Sequence, residues 1–524
     1  MKVRSFFLMS TFAVVLESFA ATHGLVTSQS SEPAVEFSPY YMLSHVGPIL
    51  GETKGHSIRF FNIPYADPPV ADLRWRPPQG MPSWTHVRDA TSPGPHCPQK
   101  RHRQAAREDC LTLNIFSPTP KSQELKPVLV WIHGGSYNTG TGSHYSSRNI
   151  DNPAERLDGT LWNREGVILV TLNYRIGALG FFAHEALDLS EGANFGLLDI
   201  IAALRWVKRN IDSFGGDQKR VTIIGGSAGG HAVQSLMVMP QAKGLFWAAV
   251  SQSGYGTTPL PRIKRVTRLS GSLSAEGVAQ KIIQRATQGP SEGITVEELR
   301  ALTTDQLVDA VDGYHYPIVD GITLLEEPAI LFDHGDQHAV PYISGASSFS
   351  GSGFKSQRGL SADALFAITS PFADSVGALY GVESFNKDSQ EFKQFFGDQR
   401  YVFGSFYTAK QMRKVRRDGY LYLLNYIPPA QRNHWRGAPH SWQKRPLFRD
   451  EHIPVINAMR RYIVNFAKTG NPNGAGMPHW PSLRSSHVPW MIFGDEPDVS
   501  SDIWPQKLDL LERMYHDRVG ELLR

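Results

Sequence analysis

Val221-Thr-Ile-Ile-Gly-Gly-Ser-Ala-Gly-Gly230 is the stretch that decides the architecture of this chain. The β-branched run up to Ile224 predicts a buried strand. Gly225-Gly226-Ser227-Ala228-Gly229 then reads G-x-S-x-G, the pattern of a sharp strand-to-helix turn that lifts a serine out of the backbone. Glycines suit the turn because it is too tight for a Cβ on either side. Ser227 then stands at the carboxyl end of a strand, where open α/β sheets bind their ligands. Taken alone, the run also fits an ordinary glycine-rich turn, so the surrounding sequence decides.

Outward from this stretch, Pro127–Ile132 and Val167–Leu172 are continuous apolar runs. Such runs are expected of strands buried on both faces. Trp247–Val250, Ala339–Ser344 and Tyr420–Tyr426 are further strand candidates. Leu197, Ile201, Leu204, Val207 and Ile211 recur at helical spacing. Strands alternating with helices predict an α/β fold, a large and mostly parallel sheet with helices on both faces. Residues 255–335 are poor in strand signals and read as helical insertions over the sheet.

A serine hydroxyl needs a base to remove its proton and donors for the oxyanion formed when it attacks a carbonyl. His133-Gly134-Gly135-Ser136-Tyr137 follows the first strong strand and resembles an HGGG-type loop. The amides of Gly135 and Ser136, with that of Ala228 after the serine, form the expected oxyanion hole. The base belongs on a loop after the last strands, where His434 and His440 occur. His440, in Gly437-Ala-Pro-His440, is the better presented; His434 reads as a surface residue.

With 524 residues, 41% hydrophobic and 19% charged, the chain can bury a large core, and a net charge of +4 is mild. The basic cluster Arg262–Arg268 has no interleaved aromatics and reads as a solvated face, so no nucleic-acid partner is expected. Lys2 and Arg4, the apolar Phe6–Leu16 and Ser18-Phe-Ala20 read as a secretory signal over 1–20. Residues 21–40 read as a polar leader and 41–524 as one folded domain. No later stretch has transmembrane length, so no membrane span is expected. The protein is expected to be secreted, or periplasmic if bacterial. Cys97 and Cys110 are the two cysteines; an oxidising compartment favours one disulfide over two free thiols. No zinc-ligand spacing occurs, and neither a metal nor a cofactor is expected.

More segments carry a resemblance: Asn62–Ala66, Leu73–Pro78, Trp84–Thr91, Glu108–Asn114, Asn173–Phe181, Phe214–Asp217, Phe466–Asn473 and Trp480-Pro481. With the two glycine-rich turns they resemble the type-B carboxylesterases, relatives of cholinesterases and some lipases. The resemblance spans most of the mature chain. It implies an α/β-hydrolase fold, Ser227 as nucleophile, His440 as base, the oxyanion hole named above and a Cys97–Cys110 disulfide. It also implies a small-molecule carboxylic ester as substrate.

Departures from that pattern cluster at one place. The family's catalytic acid falls in a stretch that here reads Gly345-Ala-Ser-Ser-Phe-Ser-Gly351, which puts Ser350 at the acid position. No carboxylate lies between Asp336 and Asp363. A Glu is also expected where Gly226 and Gln443 stand. Ser350 is expected to accept the histidine N–H in a Ser–His–Ser arrangement, without the acid's charge; Asp320 is the lesser substitute. His231 stands where the family has a small residue and reads as filling space left by Gly226, with a role beside Gln443 as the alternative. Tyr137 and Trp442 are candidates to shape the acyl pocket, with buried aromatic packing as the commoner explanation. The expected activity is carboxylic-ester hydrolysis. The alternatives are a specialised Ser–His acyltransferase or lactonase, and a binding protein on the same scaffold.

Overall fold

The strands run in chain order as β1 (Phe37–Ser44), β2 (Gly47–Lys54), β3 (Ser57–Pro64), β4 (Arg88–Asp89), β5 (Thr112–Pro118), β6 (Lys126–Ile132), β7 (Ile168–Leu172), β8 (Gly216–Gly226), β9 (Ala248–Gln252), β10 (Tyr342–Ser347), β11 (Gly419–Leu424), β12 (Pro489–Phe493) and β13 (Pro497–Ser501). They belong to a computed structural model that describes residues 37–524 except 102, 120–122, 145–154, 266–273, 313–314, 354–368, 370, 383–388, 450, 484–487 and 524. All share one sheet, in the order β1-β2-β3-β5-β7-β6-β8-β9-β10-β11-β12-β13, with β4 beside β2. Pairing is parallel from β7 through β12 and antiparallel at both ends. This is the large, mostly parallel sheet expected from the apolar runs.

Alternate residues of one strand enter opposite cores. Val128, Val130 and Ile132 of β6 join a cluster with Leu197, Leu204 and Val207 of the helix Phe195–Asn210. Leu129 and Trp131 join a second cluster with Ile456, Ile463 and Phe466 of the helix Pro454–Thr469. Both faces are therefore covered, as the continuous apolar runs require. Among the described residues, 255–335 carries the helices Ala275–Thr287, Val296–Ala301, Thr304–Ala310 and Pro328–His334 and no strand of the sheet, in agreement with the helical reading.

Several boundaries differ from expectation. The expected signal and leader residues 1–36 lie outside the described residues, but Phe37–Tyr40, read as the end of the leader, pair with β2. β10 starts at Tyr342 rather than Ala339. Pro341 has no N–H to donate, and Val340 N–H turns back to His338 O at 2.9 Å. The strand instead continues to Ser347 through Gly345, where a Cβ would sit 2.3 Å from the Tyr422 ring. β8 is longer than Val221–Ile224 and leads directly into the helix Ala228–Leu236.

Cys97 and Cys110 are bonded, with their Cα atoms 5.1 Å apart and both side chains buried. No helix among the described residues is long and apolar enough to cross a membrane.

Candidate active site

Ser227 joins β8 to the helix Ala228–Leu236 with φ 58° and ψ −120°, a left-handed backbone that a side chain seldom adopts. Such conformations cost about 1–3 kcal/mol and persist only where the surroundings impose them. Here Ser227 N–H donates to Gln252 O of β9 at 2.8 Å, and its carbonyl accepts His231 N–H at 2.9 Å. The flanking glycines are obligatory for space. A Cβ on Gly225 would lie 2.4 Å from the Gly229 backbone, and one on Gly229 would lie 2.1 Å from Ile132 O. Gly226 is under no such constraint, since its Cβ would meet the Trp131 ring at 3.4 Å.

The loop after β6 presses on this turn. A Cβ on Gly134 would fall 2.3 Å from Gly226 O and 3.1 Å from Ser227 Cβ. Gly135, Ser136 and Tyr137 follow with φ of 122°, 57° and 57°. Among the described residues, no protein acceptor takes the amide N–H of Gly135, Ser136 or Ala228. These three donors stay available beside the serine.

His440 Nε2 lies 2.9 Å from Ser227 Oγ. Burial, aided by the Arg400 guanidinium, pushes its imidazole down to about 4, so the ring is neutral at physiological pH. A neutral ring that accepts the serine proton at Nε2 carries its own proton on Nδ1. That Nδ1 is buried and has no partner among the described residues. The loop carrying the ring is fastened by other means. Phe349 N–H donates to Ala438 O at 3.0 Å, Ala438 N–H to Ser348 Oγ at 2.9 Å, and His440 N–H to Ser352 Oγ at 3.0 Å.

These bonds bring the segment containing Ser350 alongside the histidine loop, as expected for the acid position. The expected Ser–His–Ser contact is nevertheless not made. Ser350 Oγ donates to Ser347 O at 2.9 Å, three residues back. Its short side chain finds this local carbonyl as the chain turns into the 3-10 segment Ser350–Gly353. Asp320 is no substitute either. Its carboxylate accepts Ala193 N–H at 2.9 Å, Asn194 Nδ2 at 3.1 Å and the amides of Ile322, Thr323 and Leu324 at 2.8–3.0 Å. It is a structural anchor.

Other expectations are corrected. The space beside Gly226 is bordered by Trp131 and Gln252, not by His231. His231 Nδ1 lies 2.8 Å from Tyr137 Oη, and Tyr137 is buried in the core, the packing alternative rather than the acyl-pocket one. Gln443 is buried, and its Oε1 has no partner among the described residues. Trp442 packs on Tyr426 with ring centroids 5.4 Å apart. His434 is exposed, as expected.

The residues that sequence reasoning missed sit on a π-helical turn, Asp398–Val402. Tyr401 packs on the His440 ring at 4.4 Å. Arg400 is buried, with its guanidinium 4.1 Å from the Tyr255 ring. A basic residue among Phe395, Phe396, Val402 and Phe403 was the available signal. Among the described residues, no group of three His, Cys, Asp or Glu side chains is arranged to hold a metal ion.

A strained serine on a strand-to-helix turn thus lies at hydrogen-bond distance from a histidine, with a glycine-rich loop against the turn. The sequence model of the Carboxylesterase family matches residues 39–376 and 377–511. The chain belongs to the carboxylesterase family. With that family it is a carboxylic-ester hydrolase of the α/β-hydrolase fold. Para-nitrobenzyl esterase of Bacillus subtilis is 33% identical over 87% of this chain and 95% of its own length. Liver carboxylesterase 1F of Rattus norvegicus is 30% identical over 88% and 90%. Among solved structures, a PNB esterase superposes with a TM-score of 0.76 at 29% identity, covering 90% of this carboxylesterase chain and 99% of its own. Aspergillus niger EstA, at 23% identity and TM-score 0.76, shares the fold.

Proposed function

We propose that this carboxylesterase cleaves small carboxylic esters through an acyl-enzyme on Ser227, with His440 as the sole general base and no carboxylate behind it. The contact of Ser227 Oγ with His440 Nε2 at 2.9 Å carries this reading. His440 takes the serine proton as Oγ attacks the ester carbonyl, and the amides of Gly135, Ser136 and Ala228 receive the oxyanion. The histidine then protonates the leaving alcohol and activates the water that releases the acid. The enzyme is exported; the signal pattern over 1–20 supports this.

The unpartnered Nδ1 sets the rate. Without an acid, the imidazolium formed during attack lacks its stabilising charge, while the oxyanion hole and binding can still supply roughly 10³–10⁴-fold over water. The same unpartnered nitrogen favours a second reading, a binding role on a site that no longer turns over. A fluorophosphonate probe separates the two. Labelling at Ser227, lost in His440→Ala and in Ser227→Ala, is the expected result. A folded chain that takes no label would overturn the hydrolase mechanism and leave the binding role. Product analysis with competing alcohols distinguishes hydrolysis from acyl transfer.

A further inference from the structure

The oxyanion donors come from two separate elements. Gly135 and Ser136 lie on the loop after β6, and Ala228 opens the helix after Ser227. An oxyanion hole works only when its donors are held in advance at the spacing the transition state requires. The loop is tied locally, with the N–H groups of Asn138 and Thr139 donating to Gly135 O at 3.0 Å, yet its backbone is strained. Its three consecutive positive φ values include two residues with side chains, each costing about 1–3 kcal/mol.

A side-chain bridge joins the two elements. Tyr137, the last of the strained residues, meets His231 Nδ1 through its hydroxyl at 2.8 Å. His231 is the fourth residue of the helix that Ala228 opens. Both rings are fully buried. The Tyr137 ring also meets Phe181 edge-on at 4.9 Å, and its carbonyl accepts Gly177 N–H at 2.6 Å. On the other side, His231 stacks on Tyr255 at 4.5 Å, with the planes 19° apart. Tyr255 in turn carries the Arg400 guanidinium on its ring. The bridge is therefore clamped between packed aromatic layers and has little freedom to slide.

We propose that His231 is a positioning residue that fixes the oxyanion loop to the nucleophile helix through the Tyr137 hydroxyl. It touches neither substrate nor reacting atoms. The inference rests on the acyl-enzyme reading above and adds the element that sets donor spacing. The bridge is neutral at working pH. Burial, with Arg400, lowers His231 to about 3, and burial holds the Tyr137 hydroxyl well above its usual range. The charged group facing it is Arg400, and the other titratable neighbours are Tyr174 and Tyr255.

Tyr137→Phe deletes the bridging hydroxyl and keeps the ring. Losing a whole oxyanion donor costs about 10²–10³-fold in kcat, so misplacing the loop predicts a loss of about tenfold, with KM nearly unchanged. Affinity for a trifluoromethyl ketone, whose adduct places an oxyanion in the hole, should fall in parallel. Affinity for the matching methyl ketone should not. Tyr137→Phe combined with His231→Leu removes both polar partners together, which avoids leaving a new buried orphan. That double variant should match wild-type thermal stability yet keep the kcat loss of Tyr137→Phe, without adding to it. His231→Asn, which retains a polar atom near the Nδ1 position, should recover part of the rate.

Wild-type kcat in a folded Tyr137→Phe, a loss confined to KM, or additive losses in the double variant would each overturn the proposal. Fluorophosphonate labelling keeps the two readings apart. A labelled wild type with an unaffected Tyr137→Phe refutes the positioning role alone. An unlabelled wild type removes the acyl-enzyme reading and this role with it.

Discussion

Replacing Ser350 with Glu should raise the turnover of this enzyme. The segment holding Ser350 runs beside the histidine loop through Phe349 N–H to Ala438 O and His440 N–H to Ser352 Oγ, both 3.0 Å. Among the described residues the His440 Nδ1 proton has no acceptor, and Ser350 Oγ is committed to Ser347 O. A longer, charged glutamate can leave that local carbonyl and bring a negative charge toward the histidine. In serine proteases, neutralising the acid lowers turnover by about 10⁴-fold, or about 5 kcal/mol. Recovery here should be smaller, because Arg400 competes for the new carboxylate and the longer side chain strains a packed turn. A gain of about 10²–10³-fold in kcat/KM is expected, or about 3–4 kcal/mol.

The pH profile supplies a second reading of the same variant. In the wild type the base is neutral above about 4, so kcat/KM should stay flat on the acid side and fall only near that value. A carboxylate beside the ring stabilises the imidazolium, so Ser350→Glu should move this limb upward. Ser350→Gln serves as control, since it can orient the ring but brings no charge; it should recover less rate and leave the limb in place. Hydrolysis of p-nitrophenyl esters across a wide pH range measures both effects. A folded Ser350→Glu with wild-type rate and an unmoved limb would refute the argument that a missing charge limits this site.

Three further predictions follow from the packing and the buried charges. Gly229→Ala pushes a Cβ to 2.1 Å from Ile132 O and should cost both activity and about 1–3 kcal/mol, whereas Gly226→Ala, meeting only the Trp131 ring at 3.4 Å, should be tolerated in urea melts and in rate. Cys97→Ser with Cys110→Ser opens a loop of 13 residues and should lower stability by about 3 kcal/mol in urea unfolding. Asp398 is buried, and burial raises its carboxyl to about 7, with Lys507 at 3.8 Å only partly opposing the shift. Because the folded value lies above the unfolded one, its stabilisation is complete in acid and is lost as pH rises through about 7. Asp398→Asn should therefore gain stability over wild type at mildly alkaline pH and show a flatter stability profile by chemical denaturation.

The parts of the site visible in the sequence are those where backbone geometry leaves little choice. Gly225 and Gly229 are read correctly because the turn excludes a Cβ, and Val128–Ile132 because both faces of the strand are buried. Ser227 and His440 follow from those turns and from chain order. Side-chain choices among equals were not legible. Ser350 was expected to serve the histidine, yet its hydroxyl donates to a carbonyl three residues back. Asp320 offered a carboxylate, but the adjoining amides claim it. His231 read as a filler because periodicity carries no information on which buried polar atoms meet across 94 residues. Arg400 and Tyr401 reach His440 on a π-helical turn, and no residue pattern marks where a helix gains an extra residue per turn.

The backbone fastening of the His440 loop has an evolutionary meaning. Where a catalytic base is steadied only by its acid partner, loss of the acid frees the base, and the site decays in one step. Here main-chain bonds and two serine hydroxyls hold the loop whatever side chain stands at position 350. The acid is thereby uncoupled from the scaffold, so selection can vary the strength of the base at one position while the nucleophile, the base and the turns that carry them remain assembled.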